Sequence, residues 1–494
     1  MATKEQQIKN SFVYLVPAIL GNALPILTLP IFTRILTKED YGVLALAQTY
    51  AIFSTGLANF GLTVGYERNF FEHKELRKTV ELLYSTLLFV VIMFLLCGLV
   101  TYIFKSPFSR WIIGSAIYGE LLFWAFCSQG VMGLKNYYLI YFKNTEDAKA
   151  FVWYTVDESI LGVVLSLFMV AYLKIGVIGL VLGQLLASLT IFVILSVKFI
   201  RFQPVSFNWI ELRKSLKLSY PMTPQIFFGI ISNQFDKYMI GLMNTVGGVG
   251  VYSIGQKIAY VVFTYMTAIQ NVFSPQVYKR MFDLKEKGGE AVGRYLTPFC
   301  YASLFLALLI CLFSEEIIFI LTPKSYHGAV DIVIVLSMLY GSYFFCKQPQ
   351  LIYAKKIFIS SSLTIVSIGL NIIINIPFIM KWGAIGAAWG TLLAGLIYVS
   401  VVFIVSQHYY KIKWEYKSIG AIYLMFYGSA LAMILLRSAD AGYGIRLAVK
   451  CTAFVTYVYL GMRLDILSRK NYLIVKKILP LEKLSDLLGV RSVL

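Results

Sequence analysis

Charge is scarce in this chain, and acidic charge is the scarcer kind. Asp, Glu, Lys and Arg make up 14% of 494 residues, with 25 acids against 44 bases. With 59% hydrophobic residues and a mean hydropathy of +0.74, a soluble chain would have too little polar surface to face water. Its solvent must be largely lipid. Histidine occurs three times, as His73, His327 and His408, in loops or at segment ends. That leaves neither a metal-ligand spacing nor a nucleophile triad. No G-x-x-x-x-G-K-[ST] run occurs, so ATP hydrolysis by a phosphate-binding loop is excluded. Six cysteines lie irregularly in apolar segments and read as small hydrophobes. The expectation is a protein that is not an enzyme and holds no resident metal or cofactor.

What is present is a succession of apolar runs. Fourteen are long enough to span a bilayer: 11–33, 42–66, 79–104, 110–133, 149–173, 176–197, 217–243, 248–274, 295–322, 328–346, 357–380, 383–407, 418–437 and 445–463. Strands of a membrane barrel would be about 10 residues of alternating pattern, so these runs predict α-helices. The net charge of +19 follows topology and does not call for nucleic acid. Clusters such as Lys198–Lys217 and Lys279–Arg294 fall on one side and the sparser bases on the other. The positive-inside rule then puts both termini in the cytoplasm and the chain in the inner membrane, its basic loops against anionic lipid. Met1–Asn10 is polar, so the first helix is expected to serve as its own insertion signal.

The chain also repeats itself. Residues 176–189 and 383–396 agree at eight of fourteen positions, at an offset of 207. Tyr41-Gly42-Val43 falls against Val249-Gly250-Val251 at 208. An offset of six helices gives both halves the same orientation. The predicted fold is all-α: an N-lobe (1–205) and a C-lobe (206–410) of six helices each, related by a parallel pseudo-two-fold axis. The remainder (411–494) supplies two more helices and a basic amphipathic tail. The glycine pattern reads as close helix packing. Prolines 17, 25, 30, 221 and 224 predict kinks in the first and seventh helices.

Ionisable groups inside spans are costly and so are functional candidates. Arg34, Arg68, Lys237 and Lys257 are candidates for binding an anionic substrate, the arginines if they face inward, since guanidinium suits phosphate. Arg34, Glu67, Arg68, Glu315 and Glu316 lie near span ends, where snorkelling to the interface competes with function, and for Glu315 and Glu316 snorkelling is the expectation. Asp236 and Lys257, on successive helices, are expected to pair. Glu120 is expected near the middle of the fourth span. Asp157 and Glu158 form the deepest acidic pair, a candidate for proton or sodium coupling or a partner for an N-lobe cation.

Thr33-Arg34-Ile-Leu-Thr-Lys-Glu-Asp40-Tyr41-Gly42 is one of four runs that carry a family resemblance. The others are Asp236-Lys-Tyr-Met-Ile-Gly241, Gly250-Val-Tyr252-Ser-Ile-Gly-Gln-Lys257 and Phe273-Ser-Pro275. Together they resemble the polysaccharide transporters of the multidrug, oligosaccharidyl-lipid and polysaccharide (MOP) exporter superfamily. The likeness runs from the first helix to the last. It implies an O-antigen or capsule repeat-unit flippase that moves an undecaprenyl-diphosphate-linked oligosaccharide to the outer leaflet. It also implies a cationic cavity, with Arg34, Asp236 and Lys257 at family-typical positions and Lys237 where arginine is common. A polysaccharide polymerase and a chain-length regulator are the implied partners. A lipid II flippase, a multidrug exporter and a non-transporting scaffold are the alternatives.

Overall fold

The computed structural model describes residues 21, 23–73, 75–285, 288–346 and 349–467, and these contain helices but no strand. Residues 11–20 and 22 of the first expected span, and the tail beyond residue 467, lie outside them. Among the described residues, nine helices are long and apolar enough to cross a membrane. Helices Lys38–Asn59 and Leu62–Phe70, bent by 51°, raise the number to ten.

Local chemistry sets several boundaries. Thr37 and Asp40 form a capping box: the Asp40 N–H donates to Thr37 Oγ1 (3.1 Å) and the Thr37 N–H to Asp40 Oδ2 (2.9 Å). The Thr-Lys-Glu-Asp part of the first family-like run is therefore the start signal of the second span. The fourth expected span is displaced. Lys105–Ile113 is a short separate helix, ended by Gly114 at φ +90°, and the long helix is Gly119–Asn144. Trp111, Ile112, Ile113 and Ile117 made residues 110–118 read as part of the span.

The repeat has a structural cause. Gly176 starts its helix with φ 70° and ψ −149°. Its counterpart Gly383 has φ 61° and ψ −135°, and breaks the 53-residue helix Ile357–Tyr409 into two. A side chain is strained in that region, so glycine recurs at both turns.

Contacts divide the chain into two compact units. One holds the described residues up to Ile254, with Ile318–Gly328 and Asn375–Ala387. The other holds Gly255–Ile317, Ala329–Ile374 and the described residues from Ala388.

In the first unit, Lys38–Asn59 meets the start of helix Val246–Leu284 at bare backbone. A Cβ on Gly42 would lie 1.8 Å from the Val246 carbonyl oxygen, and one on Gly250 would lie 1.9 Å from that of Lys38. Val246 is the repeat counterpart of Lys38, and Gly250 of Gly42, each at the offset of 208. The contact is thus reciprocal, as a two-fold axis between repeat copies requires. Beside it, Thr33 donates to the Leu321 carbonyl (3.1 Å) and Tyr326 to that of Leu36 (2.8 Å).

The linker after the sixth span is itself a helix, Trp209–Ser219, started by Asn208. It lies along Leu62–Phe70 through three polar rungs. The Gly65 N–H donates to Ser219 Oγ (3.2 Å), Asn69 Nδ2 to Ser215 Oγ (2.9 Å), and His73 Nε2 meets Glu211 Oε2 at 3.0 Å. The partners step by four residues in opposite directions, which keeps Ser219, Ser215 and Glu211 on one helix face, with His73 just past the end of Leu62–Phe70. Burial pulls the Glu211 pKa upward, but hydrogen bonds from Lys214 and His73 outweigh it and hold the carboxyl below its usual 4.5. Tyr66, Leu83, Tyr137, Tyr138 and Phe199 belong to the apolar core of this unit.

In the second unit, helix Ala329–Ser342 buries every residue except Asp331. It packs against helices Gly288–Leu312 and Tyr416–Ser438. A helix apolar all round belongs in such a central place.

The reciprocal contact predicts a contrast. Gly42→Ala and Gly250→Ala each force backbone apart and are expected to cost about 1–3 kcal/mol. Gly428→Ala, with nothing within 4 Å of its Cβ position, is expected to be neutral or to gain up to about 1 kcal/mol of helix propensity. Thermal unfolding of the purified variants in detergent measures both, and equal behaviour would contradict the close contact.

Candidate substrate and coupling site

The candidate cations fall into two kinds. Arg34 is exposed, and its Nη1 donates to the Pro30 carbonyl (2.6 Å), so the guanidinium folds back on the end of its own helix. Arg68 is engaged by Glu72 and by Asn69 Oδ1 (2.9 Å). Glu67 pairs with Lys143 at 2.8 Å. These end-of-span groups are taken up locally.

Lys237 and Lys257 differ from them. Lys237 is half-buried, and its Nζ donates to Gln234 Oε1 at 3.1 Å. Its neighbour Asp236 is 4% exposed and accepts from Tyr252 Oη (2.9 Å) and Asn375 Nδ2 (3.1 Å). On the following helix, then, it is Tyr252, five residues before Lys257, that reaches Asp236. This corrects the expected pairing of Asp236 with Lys257: a neutral hydroxyl and a neutral amide hydrogen-bond to Asp236. Lys257 lies twelfth in the 25-residue span Val246–Gln270, is exposed, and has no carboxylate partner among the described residues.

The acidic candidates also separate. Glu120 sits in the first turn of Gly119–Asn144, half exposed and paired with Lys105. Its expected mid-span position was wrong because the long helix starts nine residues later than 110. Asp157 is exposed. Glu158, its side chain 12% exposed, lies against Lys135 and accepts from Ser188 Oγ at 2.6 Å. Glu158 therefore partners an N-lobe cation. Lys135, 3% exposed, escaped the sequence reading because it lies two residues past the expected end of the fourth span at 133.

A second buried network lies in the second unit. Glu315, 2% exposed, meets Arg446 (3.0 Å), Lys450 (3.2 Å) and Arg437 (3.6 Å). Glu316 meets Lys450 (2.6 Å) and Tyr443 Oη (2.9 Å), and Asp331 meets Arg437 (2.8 Å). Three acids balance three bases. The expectation that Glu315 and Glu316 snorkel is overturned: three cations on the last two helices draw them inward. Arg446 and Lys450, four residues apart and so on one helix face, were the available signal.

The profile of the family described as "Polysaccharide biosynthesis protein" matches residues 8–279. The chain belongs to that family. This member is also 23% identical over 209 residues to the "Probable low-salt glycan biosynthesis flippase Agl15" of Haloferax volcanii. The match covers 39% of the chain and spans 41% of that relative's length. Among solved structures, the inward closed conformation of the lipid II flippase MurJ superposes with a TM-score of 0.69 at 16% identity. It covers 93% of this chain and 100% of that one. An inward-facing multidrug resistance MATE family transporter of the MOP superfamily gives 0.54 at 15%, covering 81% and 97%. At such identities the likeness establishes the fold alone, one shared with these transporters. The proteins it resembles are named as flippases and transporters, not as enzymes.

The buried Lys135–Glu158 pair makes a stability test. Lys135→Met alone strands a buried carboxylate and is expected to cost about 3–5 kcal/mol. Lys135→Met with Glu158→Leu should recover most of that loss. Lys105→Met, at a half-exposed pair, should cost under about 1 kcal/mol. Thermal unfolding ranks the three, and a double variant as unstable as the single one would deny the pairing.

Proposed function

We propose that this chain is a lipid-linked oligosaccharide flippase. It moves an undecaprenyl-diphosphate-linked repeat unit of an O-antigen, capsule or exopolysaccharide across the cytoplasmic membrane by alternating access. The observation that carries this reading is Lys257. The deep cations Lys135 and Lys450 have carboxylate partners, whereas Lys257 has none among the described residues and is exposed. A charge left uncompensated in mid-span is costly, and a bound diphosphate would remove that cost. Lys237, half-buried on helix Thr223–Met243, is a second candidate contact in its own right. Arg34 and Arg68, already engaged at span ends, rank behind both.

The wider reading keeps both termini cytoplasmic and takes the lipid-linked glycan from the enzymes that build it, toward a polymerase and its chain-length regulator. Proton or sodium coupling belongs to Glu158 before Asp157, because Glu158 is buried beside a lysine and a hydroxyl, where protonation or ion binding would free Lys135.

Two measurements test this. In cells, Lys257→Ala is expected to lower surface polysaccharide and substrate affinity by about tenfold to a hundredfold, the loss of one charge-assisted bond. Lys257→Arg should retain most export; full export by the alanine variant would remove Lys257 from the site. In vesicles holding only this protein, a lipid-linked sugar should exchange leaflets, which a scaffold could not bring about. Glu158→Gln should abolish acceleration by a proton or sodium gradient while leaving gradient-free exchange within about threefold. Unchanged gradient dependence would withdraw the coupling role.

A further inference from the structure

The loop between helices Ile357–Tyr409 and Tyr416–Ser438 is built with an extended period. Along 410–414, Tyr410, Ile412 and Trp414 are buried and Lys411 and Lys413 are exposed. Two features fix it. Gly289 and Gly293, one helical turn apart, bring helix Gly288–Leu312 against the Lys411 and Lys413 carbonyls, which would lie 2.2 and 2.0 Å from a Cβ. Gln407 closes the loop from the other side, donating from Nε2 to the Ile412 carbonyl (3.0 Å) and accepting the Ile412 N–H at Oε1 (2.8 Å). Both lysine side chains are thereby held on one face.

That face borders a cleft of about 330 Å³ lined by Phe403, Ile404, Gln407, Lys411, Trp414 and Tyr416 among others. Its composition is that of a lipid seat. One wall is apolar and runs onto the membrane-spanning part of its helix, where Ile404 is 68% exposed. The rim carries two ammonium groups. Lys411 has no ion pair among the described residues, and Lys413 has only a 3.8 Å contact to Glu290, which Arg294 holds more closely at 2.9 Å. Trp414, 7% exposed, lines the cleft with its ring against that of Phe403.

We infer that this cleft binds one acidic phospholipid, its phosphate between Lys411 and Lys413 and an acyl chain along Phe403 and Ile404. Basic pockets at the membrane surface hold such headgroups, each lysine contributing about 1 kcal/mol. The basic loops put the cleft on the cytoplasmic leaflet, and the lipid is separate from the transported substrate.

Native mass spectrometry of the purified full chain in detergent, titrated with phosphatidylglycerol or phosphatidylcholine, tests the site. The wild type should retain one phosphatidylglycerol in preference to phosphatidylcholine. Lys411→Ala with Lys413→Ala should weaken that binding by tenfold or more, and the two arginine substitutions should restore it. Equal binding of the two lipids, or wild-type binding by the double alanine variant, would overturn the proposal. Glycerol phosphate provides a check on the wild type that needs no variant. Displacement of the lipid at equimolar glycerol phosphate would mean that the cleft takes a soluble anion, and would overturn it as well.

Discussion

Everything in the first unit is arranged around one contact of backbone on backbone. Gly42 against Val246 and Gly250 against Lys38 are the same contact made twice. Neither leaves room for a Cβ. Because the two halves of the contact are repeat counterparts, one requirement for glycine appears at two places in the sequence. The capping box at Thr37 and Asp40 places the first of these turns, and the hydroxyls of Thr33 and Tyr326 close the backbone groups beside it. The polar atoms at this end of the helices are spent on each other, as a chain with so little surface charge demands.

The treatment of charge inside the membrane follows the same economy. Lys135 has Glu158, and Lys450 has Glu315 and Glu316. Asp236 is held by a tyrosine and an asparagine. Such groups tie helices together without advertising a binding site. Lys257 departs from this rule, and the functional reading rests on the departure rather than on the number of cations.

Much of the fold was legible in the residues. Apolar length gave helices, and the recurring glycines gave the repeat, though the reason for Gly176 and Gly383 was a backbone conformation as well as packing. The candidate site was legible only in part. Composition could place Glu158 at depth but could not name Lys135, because hydropathy does not see where a short interfacial helix stops and a span begins. The apolar run Trp111–Ile113 with Ile117 reads into the next helix, and the positive φ of Gly114 is what separates the two. Glu315 and Glu316 misled for a related reason. Distance from a span end says nothing about the three bases waiting on helices more than a hundred residues later. Sequence separation hid the partners, and depth alone suggested water.

The docked linker has a mechanical consequence. With Gly65, Asn69 and His73 pinned along its length, helix Trp209–Ser219 is a strut and not a tether. Past Ser219 the chain enters helix Thr223–Met243 through one tight turn, Tyr220–Met222, which carries Pro221. The strut therefore joins the end of the second span to that helix with about three residues between them.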